Sequence, residues 1–201
     1  MIRGLAATTA LALLAGCNVE TSSSGSGMTN VTTVVDTDNG SAPATGAPAQ
    51  GKPQFLLAED GIWVTLPDKR NQRASFGAAR DIAVQIVGGA LGAPTAQGTN
   101  SECGAGPLDN VDFAGGLTLF FQDGKFVGWN VDGRDGSPHR LPNGTGIGAT
   151  LAQLRDKGDV AVQDTSLGTE ITMGEVGGLV TGNTPEGKLT DFWAGTTCAF
   201  R

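Results

Sequence analysis

The stretch Leu117-Thr-Leu-Phe-Phe-Gln122, Asp123-Gly124, Lys125-Phe-Val-Gly-Trp-Asn-Val131 constrains this chain more than any other. Asp-Gly between two β-prone segments supplies the two φ > 0 positions of a type I′ turn, so the spacing predicts a hairpin with a two-residue loop. Such a loop sets the register: Phe121 opposite Phe126, Phe120 opposite Val127, Thr118 opposite Trp129. Strict alternation then puts Phe120, Val127, Trp129 and Val131 on one face, and Leu117, Leu119, Phe121 and Phe126 on the other beside Gly128 and Asn130. A hairpin that is apolar on both sides is either covered twice or keeps one face for a partner.

The flanking segments predict its company. Residues 55–58 and 62–66 flank the turn Glu59-Asp60-Gly61 as another hairpin, and 67–73 read as a polar loop. Ser75 is placed to cap a helix through Phe76, Ala79, Ile82, Ala83, Ile86, Val87 and Ala90, with Gly92 at its end and Pro94 preventing continuation. A loop over 99–107 leads to a meander that ends in the central hairpin. Further on, Thr150-Leu-Ala-Gln153 matches a capping box opening a helix over 151–157, which Gly158 closes. An edge strand at 160–162 follows, then strands near 167–172, 178–181 and 188–194, with Thr184-Pro-Glu-Gly187 as a turn. Gly187-Lys-Leu189 falls 63 positions after Gly124-Lys-Phe126. The expectation is an α+β fold of two tandem helix-plus-antiparallel-β-meander repeats, helices on one face of the sheet, with halves at about 54–135 and 136–201.

The N-terminus sets the address. Met1-Ile-Arg3 is a short cationic start, and the apolar run 5–14 is too short to span a bilayer as a helix. It ends in Leu14-Ala-Gly-Cys17, which resembles the bacterial lipoprotein signal (lipobox). That resemblance implies removal of residues 1–16 and lipidation of Cys17, and Asn18 in the next position favours the outer membrane over retention at the inner one. Two or three acyl chains, at about 0.8 kcal/mol per buried CH₂, anchor a protein firmly to the membrane. Residues 17–53 are Ser, Thr, Gly, Ala, Pro and Asn with hardly a large apolar side chain, so they read as a disordered linker with an r.m.s. reach of about 30–35 Å; Val31, Val34 and Val35 form at most a transient strand. Loss of Arg3 leaves 12 Lys and Arg against 20 Asp and Glu, a mature net charge of −8. An acidic chain without a basic cluster repels phosphate backbones, so no nucleic acid is expected as partner.

Leu91-Gly-Ala-Pro94 at a helix end, followed by Leu117-Thr-Leu-Phe-Phe with its turn and second strand, resembles the SmpA/OmlA module of small outer-membrane lipoproteins. That module is a helical pair on a three-stranded meander. With Gly146-Ile-Gly-Ala-Thr150-Leu-Ala-Gln-Leu154 opening a second copy, residues 54–201 are similar to the β-lactamase-inhibitor-like fold. The cysteines depart from the inhibitor pattern of one bridge within each half, and no partner-contact residue of either family carries over.

Few residues invite chemistry. Cys103 and Cys198 form an even pair that an oxidising compartment bridges; a loop of about 95 residues is worth up to ~4–5 kcal/mol in the chain-entropy model. The alternative, a reactive thiol, has no base nearby in sequence. His139, the one histidine, sits in the loop Gly136-Ser-Pro-His-Arg-Leu-Pro-Asn143 and reads as a solvated side chain. Neither Gly-x-Ser-x-Gly, Ser-x-x-Lys nor His-Glu-x-x-His occurs. Gly144-Thr-Gly-Ile-Gly-Ala149 matches a dinucleotide fingerprint in letters, but Pro142 and Asn143 stand where a buried strand is needed, so it reads as a flexible approach to a helix. Asp132-Gly-Arg-Asp-Gly136 fails as a calcium loop because Arg134 occupies a ligand position. Glu102, Asp109 and Asp112 read as a solvated acidic rim. No catalytic, cofactor or metal residues are assigned.

What remains is aromatic surface. If Phe120, Val127, Trp129, Thr190 and Phe192 face the helices, then Leu119, Phe121, Phe126, Leu189 and Trp193 form a candidate partner surface with Gly128, Asn130 and Asp191. Packing of the two halves on each other, or cover by loops, is the alternative use of that face. The functional expectation is a non-catalytic envelope lipoprotein that engages an envelope protein through its sheet. Rivals are a periplasmic binder of a small molecule or glycan, and an enzyme without a recognisable motif.

Overall fold

The computed structural model describes residues 51–133 and 136–198. A first sheet is the antiparallel meander β1 (Gln54–Ala58), β2 (Gly61–Thr65) and β3 (Asn71–Ser75), followed by α1 (Arg80–Leu91). Then come β4 (Ala96–Asn100), β5 (Leu108–Phe113), β6 (Leu117–Gln122) and β7 (Lys125–Asp132). A short helix α2 (Leu151–Arg155) precedes β8 (Ala161–Thr165), β9 (Gly168–Met173), β10 (Val176–Val180) and β11 (Leu189–Gly195). These last eight strands form one antiparallel sheet in the order β4-β5-β6-β7-β11-β10-β9-β8. The signal 1–16, the lipidation site Cys17, the linker up to residue 50, and Arg134 and Asp135 lie outside the described residues.

This corrects the expected α+β fold of two helix-plus-meander repeats. Strand is the dominant structure among the described residues: their two helices have 12 and 5 residues, and pairing of β7 with β11 makes a single eight-stranded sheet beside a separate three-stranded one. Two segments that looked like loops are strands. β3 (Asn-Gln-Arg-Ala-Ser) exposes its first three side chains and buries Ala74, and β4 leaves its first four exposed. An edge strand satisfies its backbone on one side with little burial, so it carries no alternating pattern to detect.

The first helix is shorter than its apolar spacing for a related reason. Backbone around Gly77 and Ala78 is spent on β7: Gly77 N donates to Phe126 O at 2.7 Å, Phe126 N to Ala78 O at 2.9 Å, and Arg80 N to Gly124 O at 2.9 Å. Ala79, not Ser75, is the N-cap, and no side chain caps it. The start of α2 is latched in the same manner: Gly148 N donates to Leu189 O at 2.8 Å, Leu189 N to Ala149 O at 2.9 Å, and Leu151 N to Gly187 O at 2.7 Å. Here the expected capping box is present, with Thr150 Oγ1 accepting from Gln153 N and Gln153 Oε1 from Thr150 N.

Two β-bulges decide which side chains enter the core. Phe121 pairs with Phe126 as expected, but Phe120 then pairs with Gly128 and Leu119 with Trp129, which leaves Val127 as the extra residue. In β11, Leu179 pairs with Asp191 and Val180 with Leu189, which leaves Thr190 extra. A bulge lets residues three apart share a face. Phe126 and Trp129 therefore both point inward, as do Leu189 and Phe192, and all four are buried. They join Leu117, Leu119, Phe121 and Val131, covered by Leu57, Ile62 and Val64 of the first sheet, Ala83 and Val87 of α1, and Leu151 and Leu154 of α2. The Trp129 indole meets Phe192 edge to face at 5.4 Å, and its Nε1 donates to Ala58 O at 2.9 Å. That bond lets a Trp sit fully buried without an orphaned donor. Leu57 N donates to Arg140 O at 3.0 Å, tying the edge of β1 to the loop that leads to α2. Among the described residues no helix is long and apolar enough to cross a membrane.

Candidate functional site

The expected partner surface does not survive as drawn. Leu119, Phe121 and Phe126 are 0% exposed and Leu189 is 1% exposed, so all four belong to the core. Trp193 alone is half-buried, on the opposite face. With Val127 bulged, the outer face of the central strands carries Thr118, Phe120, Asn130, Asp191 and Trp193.

A cleft of about 210 Å³ opens there, lined by Phe120 of β6, Asn130 of β7, Asp191 and Trp193 of β11, and Leu179 of β10, with Cys198 at its margin. Trp193 stands directly across from Asn130 on β7 and from Gly177 on β10. A Cβ at Gly177 would lie 2.5 Å from Trp193 Nε1, so the indole lies over that glycine and needs it bare. Gly128 is bare for a second reason. The tail that follows β11 crosses it: Thr196 N donates to Val127 O at 2.8 Å, and a Cβ at Gly128 would meet Thr196 O at 2.1 Å. Gly195, at φ +72°, makes the turn that raises the tail onto this face. The lining is two aromatic walls with an amide and a carboxylate between them.

The tail brings Cys198 to Cys103. Both are free thiols, at near-disulfide distance. Asn100 Nδ2 donates to Cys198 Sγ at 3.2 Å. Burial, reinforced by the hydrogen bond and charge of Cys103, pushes the Cys198 thiol up to about 11. A thiol held protonated at neutral pH is a poor nucleophile. Cys103 and Leu108 are buried outside the main core cluster.

His139 is not a solvated loop residue. It is 4% exposed, its ring 5.3 Å from that of Phe55 and its Nε2 2.9 Å from Ala114 O. Burial holds its pKa below the ordinary value, assisted by the Arg140 charge and opposed by the Ala114 bond. The acidic rim is also partly engaged: Asp109 accepts from Thr99 Oγ1 at 2.6 Å and Asp112 from Thr118 Oγ1 at 2.9 Å, both across strands. Around Gly144 and Gly146 a hollow of about 390 Å³ is lined partly by Arg140 and Lys157. The Arg140 guanidinium is spent on Ser137 O and His139 O, and α2 beyond has five residues.

One residue escaped notice in the sequence. Trp63 is 40% exposed in the middle of β2, between buried Ile62 and Val64. Alternation along Ile-Trp-Val was the available signal, since two buried neighbours force the residue between them outward. The Arg73 guanidinium lies 5.2 Å from the ring centroid and also pairs with Asp60. Beside Trp63 runs a groove of about 290 Å³. Compared with family models, with curated proteins and with solved structures, the chain matches none.

Proposed function

We propose that this chain is a non-catalytic lipoprotein of the cell envelope, tethered through acyl groups on Cys17, preferentially to the outer membrane, whose folded unit docks on an envelope protein. The observation that supports docking is the outer-face cleft, where Phe120 and Trp193 stand half-buried around Asn130 and Asp191. Aromatic anchors with orienting polar groups, set on mid-strand positions of a rigid sheet, are the composition of interface hot spots. In the same reading Cys103 and Cys198 lose two protons and two electrons to an envelope dithiol oxidase and form one S–S bond. That bond pins the tail along the rim of the cleft.

The test is photo-crosslinking in intact cells. A photoreactive residue replaces Leu179, in the lining of the cleft, in the lipidated full chain, and adducts are identified by mass spectrometry. A discrete adduct that disappears with Phe120→Ala plus Trp193→Ala, at unchanged protein level, is the expected result. An adduct indifferent to both changes removes this face from the function. A rise in melting temperature with a small molecule or glycan, lost in the same double variant, assigns the cleft to a soluble ligand instead.

A further inference from the structure

The groove beside Trp63 lies on a different element and asks for a different occupant. Its floor is apolar, formed by Leu141, Met173 and Val176, and its edge carries Glu59 and Asp60. The Asp60 charge is answered by Arg73, whose guanidinium also lies over the indole. Glu59 is exposed, and a Cβ at Gly174 would lie 3.3 Å from its Oε2, so this carboxylate reaches over to the β9–β10 turn and stands at the groove. Glu175, also exposed, adjoins Val176. Three carboxylates against one guanidinium leave a negative margin around an apolar floor with an aromatic wall. Acidic surroundings oppose anionic occupants, including glycans that carry carboxylates.

We infer that this groove is a second docking site, for a peptide segment that places a Lys or Arg side chain directly beside a bulky apolar one. The apolar side chain fills the floor against Trp63 and Met173, and the cation meets Glu59. Each half alone is weak: a solvent-exposed ion pair contributes little, and one apolar side chain in an open groove is only partly desolvated. Adjacent in one segment, they share the entropy cost of docking.

The experiment uses the full chain in detergent, with 5-fluorotryptophan in its three tryptophans and Trp63→Phe to assign the Trp63 fluorine resonance. The probes are the blocked tripeptides Lys-Leu-Lys, Glu-Leu-Glu and Lys-Ser-Lys, and chitotriose. Lys-Leu-Lys is expected to shift the Trp63 resonance saturably, leaving that of buried Trp129 in place. Glu-Leu-Glu and Lys-Ser-Lys should bind at least about tenfold more weakly. Glu59→Gln should weaken Lys-Leu-Lys a few-fold and flatten the salt dependence of its binding. Trp63→Ala, with binding followed by calorimetry, should weaken it about tenfold, and unchanged Trp129 and Trp193 resonances should show that the fold is retained. Equal response to Glu-Leu-Glu, no saturable shift with Lys-Leu-Lys, or tighter binding of chitotriose each overturns the assignment. None of these outcomes bears on the outer-face cleft, which shares no residue with this groove.

Discussion

The two faces of the central strands carry similar side chains and do opposite things with them. Inward, Phe121, Phe126, Trp129 and Phe192 are closed to solvent and packed under the first sheet and both helices. Outward, Phe120 and Trp193 stand half-buried beside Asn130 and Asp191, with glycines at 128 and 177 where the tail and the indole cross the sheet. Apolar content alone does not distinguish a core face from an exposed one. What distinguishes them is continuity. The inner face has no polar interruption across β6, β7 and β11, whereas the outer face alternates aromatic with amide, carboxylate and glycine. Burial of an unbroken apolar face stabilises the fold; an interrupted face leaves its aromatic side chains partly in water.

Trp129→Ala is the strongest way to test that difference. It empties a fully buried site and orphans the Ala58 carbonyl, so a loss of about 3–5 kcal/mol is expected by denaturant unfolding of the full chain in detergent. A loss below about 1 kcal/mol would mean that the inner face is not the core. Next comes the sulfur pair. Oxidation to the Cys103–Cys198 disulfide should raise stability by about 2–4 kcal/mol, read as the fall in melting temperature on adding reductant; Cys103→Ser should remove the reductant effect altogether. Gly128→Ala follows at about 1–3 kcal/mol, because its Cβ must displace the Thr196 carbonyl from β7. The cost should shrink in the Cys103→Ser background, where the tail is free to lift. An equal cost in both backgrounds would show that the tail is not pinned.

Only part of this pairing was legible. Asp123-Gly124 did produce the hairpin, Thr150 and Gln153 did form the capping box, and the edge strand expected at 160–162 is β8, which runs over 161–165. The faces were not legible, because a bulge is a one-residue event that strict alternation cannot represent. Val127 and Thr190 each leave the ladder, and every assignment beyond them changes side. Phe126 and Trp129 therefore landed on opposite faces in a period-two scheme and share one in the molecule. β3 and β4 were missed for a different reason: polar edge strands are held by backbone hydrogen bonds, about which side-chain pattern says little. His139 shows the same limit, since burial in a Pro- and Gly-rich loop depends on what the first sheet lays over it.

His139 gives a smaller, pH-dependent test of the inner layer. Its pKa is depressed in the fold, so the unfolded chain takes up the proton first as pH falls through the ordinary value of 6.5. Its contribution is therefore constant above that value, declines below it, and levels off once the folded-state imidazole is protonated as well. Carboxylates add their own acid sensitivity at lower pH. The discriminating quantity is consequently the difference between the parent and His139→Gln, measured from pH ~7.5 to ~5.5. The parent should lose more stability than the variant over that interval; identical slopes would mean that His139 titrates as if exposed.

The smallest expected effect sharpens the comparison most, because it changes the same residue type on the other face. Trp193→Ala removes an indole that lies across Gly177 but remains half-exposed, so much of its area is in water in the folded state as well. The transfer term is correspondingly small, and the vacated volume opens to solvent instead of forming a closed cavity. A loss of about 1 kcal/mol or less is expected in the unfolding measurement that registers Trp129→Ala as severe. The two losses should add in the double variant, since their side chains lie on opposite sides of the sheet. If Trp193→Ala cost as much as Trp129→Ala, the outer face would be a second core with its own covering layer, and the cleft would be an internal gap and not a docking surface.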